Sequence, residues 1–203
     1  MNLGSATLID MLRHGEPDGG QKFRGAIDDP LSALGWVQMR AAAGDYRDWE
    51  AIVSSPLCRC AAFAAELAAR LDRPLEIMPG FSEISFGVWE GRSVAEVHAS
   101  DPVTLARFWA DPVAHPIPGG EPVLAFDERI GAAWADLLER YHGRHVLLVA
   151  HGGTIRMVLR RVLGMPLNHL WRFEVPFAAL SRIRCYHEPG AEPRLVFHNG
   201  RLT

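Results

Sequence analysis

The sequence predicts an α/β fold in which a mostly parallel central sheet lies between layers of helices. The main signal is a pair of short apolar runs, Thr7 to Leu12 and Val146 to Ala150. Each has the length of a buried strand, and each is followed by a histidine, a glycine and a helix-like stretch. Strand and helix patterns also alternate through the first half of the chain, which is typical of βαβ units. We therefore expect one three-layer domain over residues 1–203.

The first half of the chain supplies five elements in order. The strand Thr7–Leu12 is followed by a helix from Leu31 to about Trp49, and then by the short apolar run Ala51–Ser54. Cys58–Leu71 is predicted to be a helix, because its apolar residues recur at spacings of three and four. Leu75–Met78 is another strand candidate.

Residues 79–122 have a looser pattern, in which prolines separate short helices. An insertion of this kind often covers a functional site, so we expect a cap. After it, apolar residues from Phe126 to Tyr141 mark one helix face. The strand Val146–Ala150 then leads into a helix through Leu163 that Gly164 stops. Three further strands are expected to complete the sheet: Leu170–Val175, Leu180–Tyr186 and Arg194–Phe197.

Composition excludes several classes of function. The net charge of −3 gives no basic surface that would bind nucleic acid or an acidic membrane. The three cysteines (Cys58, Cys60 and Cys185) are too few for a disulfide framework, and the first two are expected to be packing residues of a helix. The chain shows no signal-peptide pattern and no apolar run near the ~20 residues of a membrane span. We expect a cytoplasmic protein.

Basic residues follow three of the predicted strands. Ligands of α/β sheets bind beyond the carboxyl ends of parallel strands. Arg13 and His14 follow the first strand, Arg59 follows the second, and His151 precedes a helix whose N-terminus offers N–H groups to an anion. A neutral imidazole can attack phosphorus, and guanidinium groups can stabilise phosphoryl oxygens. The pattern favours phosphoryl transfer through a phosphohistidine.

The leaving oxygen of such a reaction needs a proton. Glu83 and Glu90 lie among aromatic residues and glycines between Phe81 and Gly91. Apolar surroundings favour the neutral carboxyl group, which can then act as a general acid. The residues alone leave the choice between the two glutamates open.

The order of these motifs resembles the histidine phosphatase superfamily, with its phosphoglycerate-mutase-like fold, from about Leu8 to about Leu180. The resemblance implies that His14 is the phosphorylated nucleophile, that Glu83 is the proton donor, and that Arg24, Gly25 and Gly152 contact substrate. It also implies a phosphate pocket of Arg13, Arg59 and His151. The shared motifs are Arg13-His14-Gly15-Glu16, Phe23-Arg24-Gly25, Asp28-x-Pro30-Leu31-Ser32, Ser55-Pro56-Leu57-x-Arg59, Glu83, Phe86-Gly87-x-Trp89-Glu90-Gly91 and His151-Gly152-Gly153.

Some positions depart from the family. Pro17 and the Gly19-Gly20 pair replace a threonine and an asparagine that the family often has, and Phe63 replaces a common threonine. The pattern looks most like α-ribazole-5′-phosphate phosphatases of cobalamin nucleotide-loop assembly, which implies α-ribazole 5′-phosphate or a similar small phosphate ester as substrate. Aromatic residues of the expected cap suit a flat ring better than a small trianionic metabolite, which would need additional cations; they are Phe81, Phe86, Trp89, Phe108 and Trp109.

Other functions fit the sequence less well. They are a broad-specificity phosphatase, a phosphoglycerate-mutase-like enzyme, an inactive phospho-ligand binding module and a metal hydrolase. The sequence has no HExxH motif and no histidine–carboxylate cluster at ligand spacing, so we expect neither a metal nor a cofactor. The expected partner is a small phosphate ester, and the oligomeric state is left open.

Overall fold

A computed structural model describes residues 6–202, so the ends of the predicted domain lie outside the described residues. A six-stranded sheet runs in the order β3-β2-β4-β1-β5-β6. The first four of these pair in parallel, and β5 and β6 complete the sheet as antiparallel strands. The predicted mostly parallel α/β sheet is therefore confirmed. The strands are β1 Thr7–Arg13, β2 Ala51–Ser54, β3 Leu75–Ile77, β4 His145–Ala150, β5 Leu180–Cys185 and β6 Arg194–His198.

Within residues 6–202, six α-helices accompany the strands. Side chains of neighbouring positions on β1 enter opposite cores, because successive residues of a strand face opposite sides of the sheet. Leu12 packs with α1 and α2, whereas Met11 packs with α5, α6 and the segment 79–122. The helices are α1 Ala33–Ala43, α2 Cys58–Leu71, α3 Val94–Ser100, α4 Pro102–Ala110, α5 Val123–Arg140 and α6 Gly152–Val162. None of the helices in residues 6–202 combines the length and the apolar character that crossing a membrane requires.

The first helix is shorter than the sequence predicts. The Oγ of Ser32 caps α1 by accepting a hydrogen bond of 3.0 Å from the backbone N–H of Gly35. The helix ends at Gly44, whose positive φ of 51° favours glycine. Trp49 lies beyond that end and is fully buried, so its apolar character reflects packing under the sheet and not helix continuation.

The segment Leu170–Val175 is not a strand, contrary to the prediction. Leu170 and Val175 are buried, which explains the strand-like apolar pattern, but the backbone between them turns. Its carbonyl groups bind arginine side chains instead of another strand. The Val175 carbonyl accepts from Arg13 at 2.6 Å, and the Phe173 carbonyl accepts from Arg156 at 3.0 Å.

Three strands end at the same edge of the sheet. Arg13 at the end of β1 pairs with Ala150 at the end of β4, and Ser54 at the end of β2 pairs with Val149. The residues that follow, among them His14 and His151, therefore emerge side by side.

Candidate active site

His14 holds a defined tautomer. Its Nδ1 lies 2.8 Å from the carbonyl oxygen of Gly15. A carbonyl can only accept, so Nδ1 carries the proton and Nε2 keeps its lone pair. Burial, and then the charges of Arg13 and Arg59, hold the pKa of His14 well below 6.5. At neutral pH this side chain is a neutral imidazole with a free nitrogen, which is the form that a nucleophile needs.

His151 lies against His14, with the ring centroids 5.2 Å apart. Its Nε2 is 2.6 Å from the Oγ of Ser55, and the sulfur of Cys60 lies 3.7 Å from both ring nitrogens. Burial, and then the nearby Arg59, hold the pKa of His151 well below 6.5. Ser55 therefore orients a second neutral imidazole; its signal in the sequence was its place directly after a strand.

Arg13 lies on the wall of a cavity of about 300 Å³ that also contains His14. One terminal nitrogen donates to the Val175 carbonyl, and the guanidinium carbon is 4.2 Å from the centroid of the Phe177 ring. Its Nε is buried and has no hydrogen-bond acceptor in the described part of the chain. Burial, and then the charge of Arg156, lower the pKa of Arg13 to about 10, which still leaves it cationic at neutral pH.

Arg59 is fully buried and does not reach the cavity wall. Its Nη1 donates to the Ile27 carbonyl at 2.7 Å, and its Nη2 donates to the carbonyls of Arg24 and Gly25 at 3.2 and 3.1 Å. Its Nε, like that of Arg13, has no acceptor among residues 6–202. The sequence predicted that Arg59 lies at the same sheet edge as Arg13. The structure places it there, where it binds carbonyl groups of the loop 24–27.

That loop contributes Arg24 to the cavity wall. The Arg24 side chain is fixed by Asp29 at 2.7 Å and by the backbone carbonyls of Asp18 and Gly20. Gly25 serves packing, because a Cβ there would overlap the carbonyl of Ile84. It does not line the cavity, in contrast to its predicted contact with substrate.

The two glutamates have different surroundings. The Glu90 carboxylate accepts hydrogen bonds from the backbone N–H groups of Gly25, Ala26, Ile27 and Phe86, so it anchors the loop beneath Arg24. Glu83 lies on the cavity wall with His14. This geometry separates the two residues where the sequence did not.

Glu83 is held by backbone donors. Its Oε2 accepts from the N–H of Gly153 at 2.8 Å, and its Oε1 accepts from Ile84 and Thr154 at 3.0 and 3.2 Å. Two of these donors belong to the first turn of α6, where N–H groups lack partners within the helix. The sequence pattern did not predict these backbone donors, two of which place the carboxylate at a helix N-terminus.

The cavity contains several residues that the sequence did not single out. They are Lys22, Arg156, Trp171 and Phe177. Gly152, which the sequence predicted to contact substrate, lines the cavity as well. Arg156 had a usable signal, since it lies four residues after Gly152 and therefore on the same face of α6. Of the five aromatic residues of the expected cap, two line the cavity (Phe86 and Trp109), and three are buried in the core (Phe81, Trp89 and Phe108).

Comparison with known proteins identifies the family. The model of the histidine phosphatase superfamily, branch 1, matches residues 9–198. The chain belongs to this superfamily. Phosphatases dominate its named relatives, which makes this histidine phosphatase a phosphoric monoester hydrolase.

Three similar proteins illustrate the range of the superfamily. The chain is 30% identical over 196 residues to Putative phosphoserine phosphatase 2 of Hydrogenobacter thermophilus, covering 93% of each protein. It is 28% identical over 178 residues to Adenosylcobalamin/alpha-ribazole phosphatase of Escherichia coli, covering 85% of this chain and 87% of the relative. The solved structure of Mycobacterial hydrolase 2 superimposes with a TM-score of 0.86 at 28% identity, covering 98% of this chain and 92% of the other. Some mycobacterial relatives are longer, and the chain spans 56% of their length.

Proposed function

We propose that this histidine phosphatase hydrolyses small phosphate monoesters through a phosphohistidine at Nε2 of His14. The observation that carries the proposal is the state of His14, a buried neutral imidazole whose Nδ1 proton is fixed by the Gly15 carbonyl. The Nε2 lone pair forms the bond to phosphorus while the bond from phosphorus to the ester oxygen breaks. Glu83 supplies the proton that the leaving oxygen takes up.

The second half of the reaction uses the same groups. A water molecule attacks the phosphorus, Glu83 accepts a proton from it, and the bond from phosphorus to His14 breaks to release inorganic phosphate. Negative charge on the phosphoryl oxygens is stabilised by fixed donors. The buried Nε of Arg13 supports this role, since Arg13 lines the cavity and its Nε has no acceptor within residues 6–202. The Nε of Arg59 also lacks an acceptor there, but Arg59 does not reach the cavity wall. Gly152, the first residue of α6, also lines the cavity and offers its backbone N–H to the phosphoryl group, while His151 packs against the ring of His14.

The proposed mechanism assigns every chemical role to a side chain or to water, so we propose that no metal is required. Turnover of nitrophenyl phosphate in the presence of EDTA tests this directly. His14→Ala is expected to abolish that turnover, whereas His98→Ala, at an exposed histidine of α3, is expected to leave it unchanged.

The covalent intermediate has its own test. Quenching the wild type with labelled substrate without acid should trap an acid-labile phosphoprotein that is missing from His14→Ala. A protein that binds phosphate but neither turns over substrate nor becomes labelled would instead be a phospho-ligand binding module.

For the substrate, we propose α-ribazole 5′-phosphate or a similar ester with a flat leaving group as the first candidate. The aromatic lining supports it, as Phe86, Trp109, Trp171 and Phe177 surround the space beyond His14. A relative 28% identical carries the α-ribazole phosphatase name. Segment 79–122 contributes Glu83 as well as Phe86 and Trp109 to the wall, and we propose that it acts as the cap. Comparison of kcat/KM for α-ribazole 5′-phosphate, AMP and phosphoglycerates tests the candidate.

A small trianionic metabolite would need additional cations in the site. The cavity wall contains Arg156 and Lys22 beside Arg13 and Arg24. This excess of positive charge favours, as a second candidate, a leaving group that carries its own negative charge.

A further inference from the structure

Arg129 on α5 binds the short turn of residues 80–83, which carries Glu83. Its Nη1 donates to the carbonyl groups of Gly80 at 2.9 Å and Ser82 at 3.0 Å, and its Nη2 donates to the carbonyl of Glu83 itself at 3.4 Å. Three backbone acceptors within four consecutive residues thus bind one guanidinium group. Because one face of α5 packs in the core, these contacts attach the turn to a fixed support.

Glu121 completes the surroundings of Arg129. Its two carboxylate oxygens accept from the Nε at 2.9 Å and from the Nη2 at 2.7 Å. A guanidinium group has five N–H donors, and here each of them has an acceptor, one at Nε and two at each terminal nitrogen. The backbone N–H of Glu121 also donates to the carbonyl of Ser85 at 3.0 Å. Glu121 therefore orients Arg129 and binds the chain just beyond Glu83.

A second helix holds the same turn. Thr154, in the first turn of α6, places its Oγ1 3.2 Å from the carbonyl of Ser82, and its backbone N–H donates to the Glu83 carboxylate. Gly80 permits the close approach to α5, because a Cβ there would overlap the side chain of Ala133. The backbone of the turn is thus bound to α5, while the carboxylate that it carries is bound to α6.

Arg129 does not reach the cavity that contains His14. It lines a separate space of about 380 Å³, to which Glu83 and Glu121 also contribute. Any effect of Arg129 on the reaction therefore passes through the groups that it binds. We propose that Arg129, oriented by Glu121, is a positioning residue that sets the place of the Glu83 carboxylate relative to the leaving oxygen. The inference rests on the proposed function, because it concerns the proton donor of the same reaction.

Proton transfer makes the position of the carboxylate critical. The donor must lie within hydrogen-bond reach of the leaving oxygen, and a displacement of about 1 Å can lower a rate by about 10²-fold. The amide of Arg129→Gln offers two N–H donors in place of five, so the turn loses most of its attachment to α5. We expect kcat/KM for an alkyl phosphate to fall by about 10- to 100-fold more than that for nitrophenyl phosphate, whose leaving group needs no proton. A role in stability alone would lower both values equally.

Two companion variants accompany this change. Arg140→Gln is the matched control, because Arg140 lies on the same helix and pairs with Glu76 and Asp136 instead of the turn. It is expected to leave the ratio of the two kcat/KM values unchanged. Glu121→Gln keeps the Arg129 side chain but weakens the group that orients it, so the same ratio should fall by about 2- to 10-fold, the equivalent of one hydrogen bond. This milder variant carries the test if Arg129→Gln does not fold.

The double variant Glu83→Gln/Arg129→Gln separates this proposal from the proposed proton donor. Because the donor is already missing, the second change should not lower the ratio below that of Glu83→Gln alone. A ratio that falls in Glu83→Gln but not in Arg129→Gln or Glu121→Gln would overturn the positioning role and leave the donor in place. A ratio that does not fall in Glu83→Gln would instead refute the donor, and the positioning role with it.

A crystal structure of Arg129→Gln gives a test that does not depend on activity. The Glu83 carboxylate should be displaced from the backbone N–H of Gly153, which binds it at 2.8 Å in the wild type. Inhibition by orthovanadate, a probe with no leaving group, should be the same in both proteins, because the phosphate pocket keeps Arg13 and His14. A carboxylate that stays in its wild-type position would overturn the proposal, whatever the kinetics.

Discussion

Replacement of Glu83 by glutamine separates its two proposed roles. The carboxylate accepts three backbone hydrogen bonds, two at Oε1 from Ile84 and Thr154 and one at Oε2 from Gly153. A glutamine amide has one acceptor atom, so its NH2 group must face at least one of these N–H donors. An unsatisfied buried donor costs about 1–3 kcal/mol, so a moderate displacement of the side chain and a moderate loss of stability are expected. That part of the effect is the same for every substrate.

The loss of the proton is not the same for every substrate. An alkoxide leaving group needs protonation, and removal of a general acid slows such steps by about 10²- to 10⁴-fold. A nitrophenolate leaves without a proton, so nitrophenyl phosphate reports the displacement alone. The ratio of the two losses, measured as kcat/KM for an alkyl phosphate and for nitrophenyl phosphate, is expected to be about 10²–10⁴. Equal losses on both substrates would refute the role of Glu83 as proton donor. Glu83 would then be a positioning residue that binds the first turn of α6.

Two further predictions concern pH and stability. The pKa values of His14 and His151 lie well below 6.5 in the folded protein, so the unfolded chain binds more protons near that pH, and the melting temperature should fall as the pH drops below 6.5. His14 should also stay neutral well below pH 6.5, so kcat/KM for nitrophenyl phosphate should not be lost there through protonation of the nucleophile. A steep loss of kcat/KM centred at pH 6.5 would contradict the state of His14 described above. Burial opposes the ionisation of Asp10, but hydrogen bonds from Arg182 and His145 lower its pKa below 3.8, so its contribution is present above pH 3.8 and is lost as the pH falls through the lowered value. Asp10→Asn should cost about 3–5 kcal/mol in denaturant unfolding at pH 7, since it removes the buried carboxylate that pairs with Arg182, and a loss under about 1 kcal/mol would contradict this.

The sequence predicted the parts of the site that follow from strand ends. Short apolar runs followed by polar residues show where β1, β2 and β4 stop, and parallel strands place their carboxyl ends at one edge. Arg13, His14 and His151 can therefore be grouped from the sequence pattern alone. The same logic explains why Arg59, in the first turn of α2, was assigned to this edge.

The choice between Glu83 and Glu90 needed tertiary contacts. Both glutamates lie in the same irregular segment, and only the structure shows that Glu90 binds loop backbone while Glu83 binds the start of α6. The run Leu170–Val175 misled the prediction for a related reason. Burial makes a turn look apolar, and carbonyl groups that bind Arg13 and Arg156 leave no mark on the sequence pattern.

Glycines decide how closely the elements of the site approach. A Cβ on Gly153 would overlap the carboxylate of Glu83, so a side chain there would displace the proposed proton donor. A second close approach, between Gly15 and Gly35, lies next to the proposed nucleophile. A Cβ on Gly15 would overlap the backbone of Gly35 in α1, and a Cβ on Gly35 would overlap the backbone of Glu16 after β1. The Gly15 carbonyl is also the group that accepts the Nδ1 proton of His14. That hydrogen bond selects the tautomer with a free Nε2. The chemical state of the proposed nucleophile therefore depends on a backbone contact, which the pattern of charged residues in the sequence does not predict.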